Sequence, residues 1–202
     1  MTEGYIKFQC NWVNEEIQVS EEVFLSLENE RTRLYKFDLI GMYPDGIGFG
    51  NISVRAEGCT FVITGSATGQ LASLDLSHYA RVSAYSFSGN SIACTGLTKA
   101  SAESLTHAAV YEALPEVGAV VHVHCLWLWE KLLNHCPTTS GEIEYGTPEM
   151  AEAVRALAAE LVMSEEKIIV MGGHREGILA FGRTLEEATA QIINIYNRYQ
   201  NE

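Results

Sequence analysis

A chain of 202 residues, 47% hydrophobic and 19% charged, has enough apolar side chains for one sizeable core and is short for two, so a single domain over residues 1–202 is expected. The 13 basic and 26 acidic residues leave a net charge of −13, a field that repels phosphate backbones and anionic lipid, so neither nucleic acid nor a membrane is an expected partner. Cys10, Cys59, Cys94, Cys125 and Cys136 are odd in number and widely spaced, residues 1–5 show no basic start leading into an apolar run, and no stretch of about 18 apolar residues occurs. Reduced thiols and a cytoplasmic location are expected.

In chain order, residues 5–8 suggest a first strand. Ser20 followed by Glu21 and Glu22 starts a helix, a capping hydroxyl ahead of carboxylates at the positive end of the dipole. Val23, Phe24, Leu27 and Leu34 form its apolar stripe out to about Phe37. Residues 41–50, crowded with Gly, Pro and Asp, predict a loop. Residues 51–55 and 59–64 predict a hairpin around Gly58. The small residues at 64–69 could form a nest of backbone amides for an anion or a plain loop, but lack the Gly-Lys-Ser/Thr of a nucleotide-binding loop. Residues 80–87 and 91–95 predict another hairpin, turning at Gly89 and Asn90.

A helix is expected from about Ser101 to Leu114, with Glu103 in its first turn, where a carboxylate complements the dipole. His107 stands at i+4 from Glu103, a spacing that also suits a surface pair. Residues 117–124 predict a strand and residues 126–133 a short apolar helix. Thr147 caps, and Pro148 opens, a helix reaching about Met163. Residues 167–172 and 178–182 predict strands, and Thr184 caps a closing helix to Arg198.

The chemistry concentrates in Val120–Val121–His122–Val123–His124. Alternate side chains of a strand share a face, so both imidazoles point one way while Val121 and Val123 point the other. With alpha carbons roughly 7 Å apart, both rings can reach one divalent ion at about 2.0–2.1 Å from each nitrogen. Two histidines on the wet face of a strand are the alternative. Cys125, at an odd offset from His124, would turn to the opposite face.

Gly50–Asn51–Ile52–Ser53–Val54–Arg55, the run 64–69, Ser101–Ala102–Glu103, the histidine strand, Gly146–Thr147 and the run 177–188 together resemble the class II aldolase and adducin head family, over about residues 20–200. The resemblance implies an α/β fold, a three-layer α/β/α sandwich around a largely antiparallel sheet, assembled as a homotetramer. It implies a divalent-metal-dependent lyase that cleaves a carbon–carbon bond of a small hydroxy-carbonyl or sugar-phosphate substrate through a metal-stabilised enediolate. A dehydratase, epimerase or decarboxylase on the same logic, and a non-catalytic adducin-like scaffold, are the alternatives. Glu103 matches the family's acid/base glutamate, and His122 and His124 match two ligands of one ion per subunit, zinc first, with manganese, cobalt or iron as alternatives. Family aldolases present a histidine directly before a glycine in the last segment. Glu176 holds that position and His174 lies two residues earlier, so both are candidates for the remaining ligand. Gly50, Asn51, Thr64, Gly65, Ser66 and Ser101 fall near the family's phosphate-binding loops. Ala102 departs from the usual second serine, which removes one hydroxyl from the expected pocket.

Overall fold

The computed structural model describes residues 5–200. The reading of the chain start, and the outer ends of the single-domain expectation, lie outside the described residues. The elements are β1 (Gln9–Val13), α1 (Glu21–Lys36), β2 (Gly41–Met42), β3 (Gly48–Phe49), β4 (Asn51–Arg55), β5 (Phe61–Thr64), β6 (Tyr79–Ser86) and β7 (Ser91–Thr95). They continue with α2 (Ser104–Ala113), β8 (Ala119–His124), α3 (Leu126–Leu132), α4 (Pro148–Glu160), β9 (Ile168–Val170), β10 (Gly177–Gly182) and α5 (Leu185–Gln200). Ser20 accepts from the Val23 amide at 3.3 Å and Thr147 from Met150 at 3.2 Å, so both helices begin where a side-chain oxygen satisfies an otherwise unpaired amide.

Eight strands form one sheet in the order β1-β7-β6-β5-β4-β8-β10-β9. The β1–β7 pair is parallel and the other pairings of this sheet are antiparallel. Leu105 and Val110 of α2 and Met150 and Val154 of α4 pack with Phe61, Val120 and Phe181 on one face. Leu27 and Leu34 of α1, Leu128 of α3 and Ile192 of α5 pack with Ile52, Val121 and Val123 on the other. This is the expected three-layer α/β/α sandwich around a largely antiparallel sheet. Each buried aliphatic side chain contributes about 1.5–3 kcal/mol, so the two cores hold the central strands from both sides.

The differences from expectation are local. The first strand lies at Gln9–Val13 rather than 5–8, where Cys10 and Trp12 alternate with more exposed neighbours and can pair along β7. The expected loop at 41–50 contains the two-stranded ribbon β2–β3. Helix α2 starts at Ser104, leaving Glu103 at its cap, and α4 stops at Glu160. Strand β8 ends at His124, so Cys125 caps α3, half-buried, rather than continuing the strand.

Registry places the chemistry. His122 pairs with Asn51 of β4 on one side and Leu179 of β10 on the other, and His124 pairs with Gly177. The Ser101 amide bonds Thr64 O at 3.2 Å and the Ser66 amide bonds Lys99 O at 2.8 Å, which draws the start of α2 over the same end of the sheet.

Candidate metal centre

Strand alternation sends both β8 imidazoles to one face, with ring centres 4.8 Å apart. His174, in the turn between β9 and β10, brings a third ring to 5.1 Å from His122 and 4.8 Å from His124. One ligand nitrogen from each can be chosen so that all lie within 4.8 Å of one another. The three residues are 1%, 3% and 5% exposed. Two glycines permit this convergence. A Cβ on Gly173 would sit 1.8 Å from Ile143 O, so only glycine lets the turn press against the 140–145 segment. A Cβ on Gly177 would lie 3.1 Å from both His122 Nε2 and His174 Nδ1.

Burial, with the neighbouring imidazoles adding to it, pushes His122 and His124 well below the ordinary histidine pKa. Neutral rings offer lone pairs. His122 Nε2 is buried with no hydrogen-bond partner, while His122 Nδ1 lies 3.3 Å from the Asn51 amide. An orphaned nitrogen among three neighbouring imidazoles fits a divalent cation, which takes three protein ligands and keeps a position open for substrate.

Glu103 stands at the edge of this cluster, 4% exposed, its amide held by Ser101 Oγ at 3.3 Å. One carboxylate oxygen accepts from Thr106 Oγ1 at 2.7 Å. The other is buried without a hydrogen bond, 3.7 Å from His174 Nδ1. The spacing of Glu103 to His107 suggested a surface pair, but His107 is fully buried and its Nδ1 lies 2.7 Å from Ser53 Oγ.

These groups surround a pocket of about 50 Å³. Gly50, Asn51, Gly65, Ser66, Ser101, Glu103, His122, His124 and His174 all line it. Two expected site residues do not. Thr64 Oγ1 is taken by the Ile52 amide at 3.2 Å inside the sheet. The Glu176 carboxylate, expected as a possible ligand, accepts from the Tyr43 hydroxyl at 2.8 Å and falls outside the triple-imidazole cluster. Sequence reasoning missed two aromatic residues, Tyr43 and Phe49, and did not count Tyr145 among the expected site residues. Tyr43 Oη lies 2.8 Å from His124 Nδ1, Phe49 stacks on His124 with centres 5.5 Å apart, and Tyr145 stacks on His174 at 4.6 Å. Lys7 Nζ lies 3.9 Å above the Tyr145 ring and donates to Tyr145 O at 3.0 Å. The ring at Tyr145 follows a Glu and precedes the Gly146–Thr147 helix start, the one local signal that could have drawn notice to it.

The 64–69 run is a tight turn with Ala67 at φ 57°. The amides of Gly65 and Ser66 are spent on His78 O and Lys99 O at 2.7 and 2.8 Å, and Thr68 Oγ1 donates to Gly65 O at 2.9 Å. Behind it the buried Arg31 guanidinium donates to Thr68 O at 3.0 Å.

Among known proteins, the chain is similar to YgbL of Klebsiella pneumoniae, a candidate aldolase/epimerase/decarboxylase, with a TM-score of 0.65, 17% identity, and 89% of this chain and 87% of that one covered. An L-fuculose 1-phosphate aldolase matches with a TM-score of 0.64 at 20% identity, covering 91% of this chain and 88% of the other. The L-fuculose-1-phosphate aldolase of Thermus thermophilus matches with a TM-score of 0.60 at 21% identity, covering 90% of this chain and 97% of that one. These likenesses establish the fold. No curated protein sequence matches. The model of the class II aldolase and adducin N-terminal domain matches residues 44–200, and the chain belongs to that family.

Proposed function

We propose that the chain is a divalent-metal-dependent lyase of the aldolase type, acting on a small hydroxy-carbonyl compound. The observation that carries this reading is the bare, buried Glu103 oxygen beside three converging imidazoles in one pocket. His122, His124 and His174 would hold the ion, and zinc suits a nitrogen-only donor set, with manganese, cobalt and iron also compatible. Held there, the ion would act as a Lewis acid on a carbonyl and its adjacent hydroxyl, the polarisation that eases carbon–carbon cleavage.

The chain's own groups do the rest. Glu103 Oε1 takes a proton from the substrate hydroxyl and returns it after cleavage, while Thr106 fixes the other oxygen and so the direction of the carboxylate. Ser66 and Ser101 offer hydroxyls to the substrate, and Phe49 and Tyr145 wall off water. Among the described residues the lining contains no lysine or arginine, so an anionic substrate group would find no permanently cationic side chain there. With space for a handful of water-sized groups, the pocket suits a short substrate. The reading extends to one catalytic domain over residues 1–202 and a cytoplasmic location, which rest on length and composition, and to a homotetramer and a role in carbohydrate metabolism, which rest on family membership. Dehydration, epimerisation or decarboxylation would use the same groups and form the second reading, the last two being activities named in the description of YgbL. An adducin-like scaffold has no use for three buried imidazoles facing one another. No helix among the described residues is long and apolar enough to cross a membrane.

Metal analysis of the purified protein, with a panel of ketose phosphates and free hydroxy-ketones scored for aldehyde release, tests this. Glu103→Gln should keep one ion per chain and lose turnover by about 10²–10⁴-fold. Full activity in that variant removes Glu103 from the chemistry, and a protein that binds no ion returns the chain to the scaffold reading.

A further inference from the structure

The residue that the family resemblance puts forward as a ligand has a different relation to the centre. Glu176 adopts φ 76°, a left-handed conformation that is unfavourable for a non-glycine residue and persists only where surrounding contacts hold it. Its carbonyl accepts the Cys125 amide at 3.0 Å, directly after the histidine strand, and its carboxylate accepts from the Tyr43 hydroxyl at 2.8 Å. The same hydroxyl oxygen lies 2.8 Å from His124 Nδ1. A phenol has one proton. Given to the carboxylate, it leaves the oxygen lone pairs to accept from the ring, so His124 is held as the Nδ1–H tautomer with the Nε2 lone pair facing the cluster.

Tyr43 reaches this position because the β2–β3 ribbon folds back over the site. Tyr43 and Phe49 contact each other across it, ring centres 4.5 Å apart, and Phe49 lies on the His124 ring at an interplanar angle of 24°. The ribbon therefore fixes both the plane and the tautomer of one imidazole.

We propose that Tyr43 and Glu176 form a carboxylate–tyrosine–histidine relay that positions His124 and raises its strength as a metal ligand, so that Glu176 serves the centre without touching the ion. This rests on the metal reading above. Neither residue touches substrate: Tyr43 and Glu176 are absent from the pocket wall, so both are positioning residues. Carboxylates reach metal-bound histidines directly in many centres, and inserting a phenol lengthens that arm by one hydrogen bond while preserving its direction of donation.

Zn²⁺ competition against a chromogenic chelator, with the wild type, Tyr43→Phe, Glu176→Gln and the double variant, reads the relay. Each single variant should bind one ion per chain about 10–100-fold more weakly, and the double should fall little further, because both act through one path. Tyr43→Phe keeps the ring contact with Phe49, so loss of the hydroxyl is separated from loss of packing. Unchanged affinity in both singles overturns the proposal. So does a loss in Glu176→Gln that matches His174→Ala while Tyr43→Phe binds normally, since that marks Glu176 as a direct ligand. Long-range ¹H–¹⁵N correlation of the ring in metal-free protein supplies a readout independent of the ion. The wild type should show His124 as the Nδ1–H tautomer and Tyr43→Phe a mixture. A mixture in the wild type overturns the relay even if the ion binds, and a clean tautomer in a protein that binds no ion leaves the relay standing while the metal reading fails.

Discussion

The molecule holds two kinds of buried histidine. His107, on α2, is fully enclosed, with its Nδ1 on Ser53 Oγ, which also lies 2.8 Å from Tyr111 Oη. Burial lowers its pKa to about 3. His122 is as deeply buried and lowered in the same direction by the same cause. Each leaves one Nε2 without a hydrogen-bond partner. Burial, neutrality and an orphan nitrogen are thus common to both, and none of them identifies a metal centre. What separates the two is company: His107 gives its Nδ1 to the Ser53 hydroxyl and stands outside the cluster, while His122 faces two more imidazoles across a gap that Gly177 keeps open.

Three substitutions or conditions would break or sharpen that contrast. The largest effect is expected from His174→Ala, which should weaken Zn²⁺ binding well beyond the about 10–100-fold loss of an outer partner, whereas His107→Ala should bind as the wild type does. Equilibrium dialysis distinguishes them, and equal losses would erase the distinction. Next, His107→Ala should cost about 2–3 kcal/mol of stability in denaturant unfolding, through a cavity and a Ser53 hydroxyl deprived of its ring partner. A change under about 0.5 kcal/mol would mean that the pocket closes over the gap.

The smallest effect is the pH slope. The folded pKa of His107, about 3, lies below its unfolded value of 6.5, so between these values the unfolded chain binds the extra proton. Its stabilising contribution is therefore complete above about pH 6.5 and is lost as pH falls toward 3, at up to about 1.4 kcal/mol per pH unit. Unfolding at pH 7, 6 and 5 should show a slope shallower in His107→Ala than in the wild type, by an amount that grows toward one proton as pH falls to 5. Parallel slopes would place the titration elsewhere.

Much of this was legible because it is local. The period of two in Val120–His124 placed both imidazoles on one face, and Ser20, Thr147 and Pro148 marked helix starts from single side chains. The family resemblance brought Glu103 to the same end of the sheet. The alternation at Cys10 and Trp12 was present too, but an edge strand with mixed polarity gives little contrast, and the expected strand fell a few residues early. The relay was not legible at all. Tyr43 meets His124 and Glu176 across separations of 81 and 133 residues, and nothing in the run 41–50, rich in glycine, announces a ribbon that folds back onto the sheet. That His174, and not Glu176, converges on the two β8 imidazoles likewise depends on the turn at Gly172–Gly173, since on an ideal strand the two share a face.

The stacking of Lys7, Tyr145 and His174 has a practical consequence. A cation near the first described residue rests on a ring that rests on the third imidazole, so a change at Lys7 is felt at the candidate metal centre although 167 positions separate Lys7 from His174.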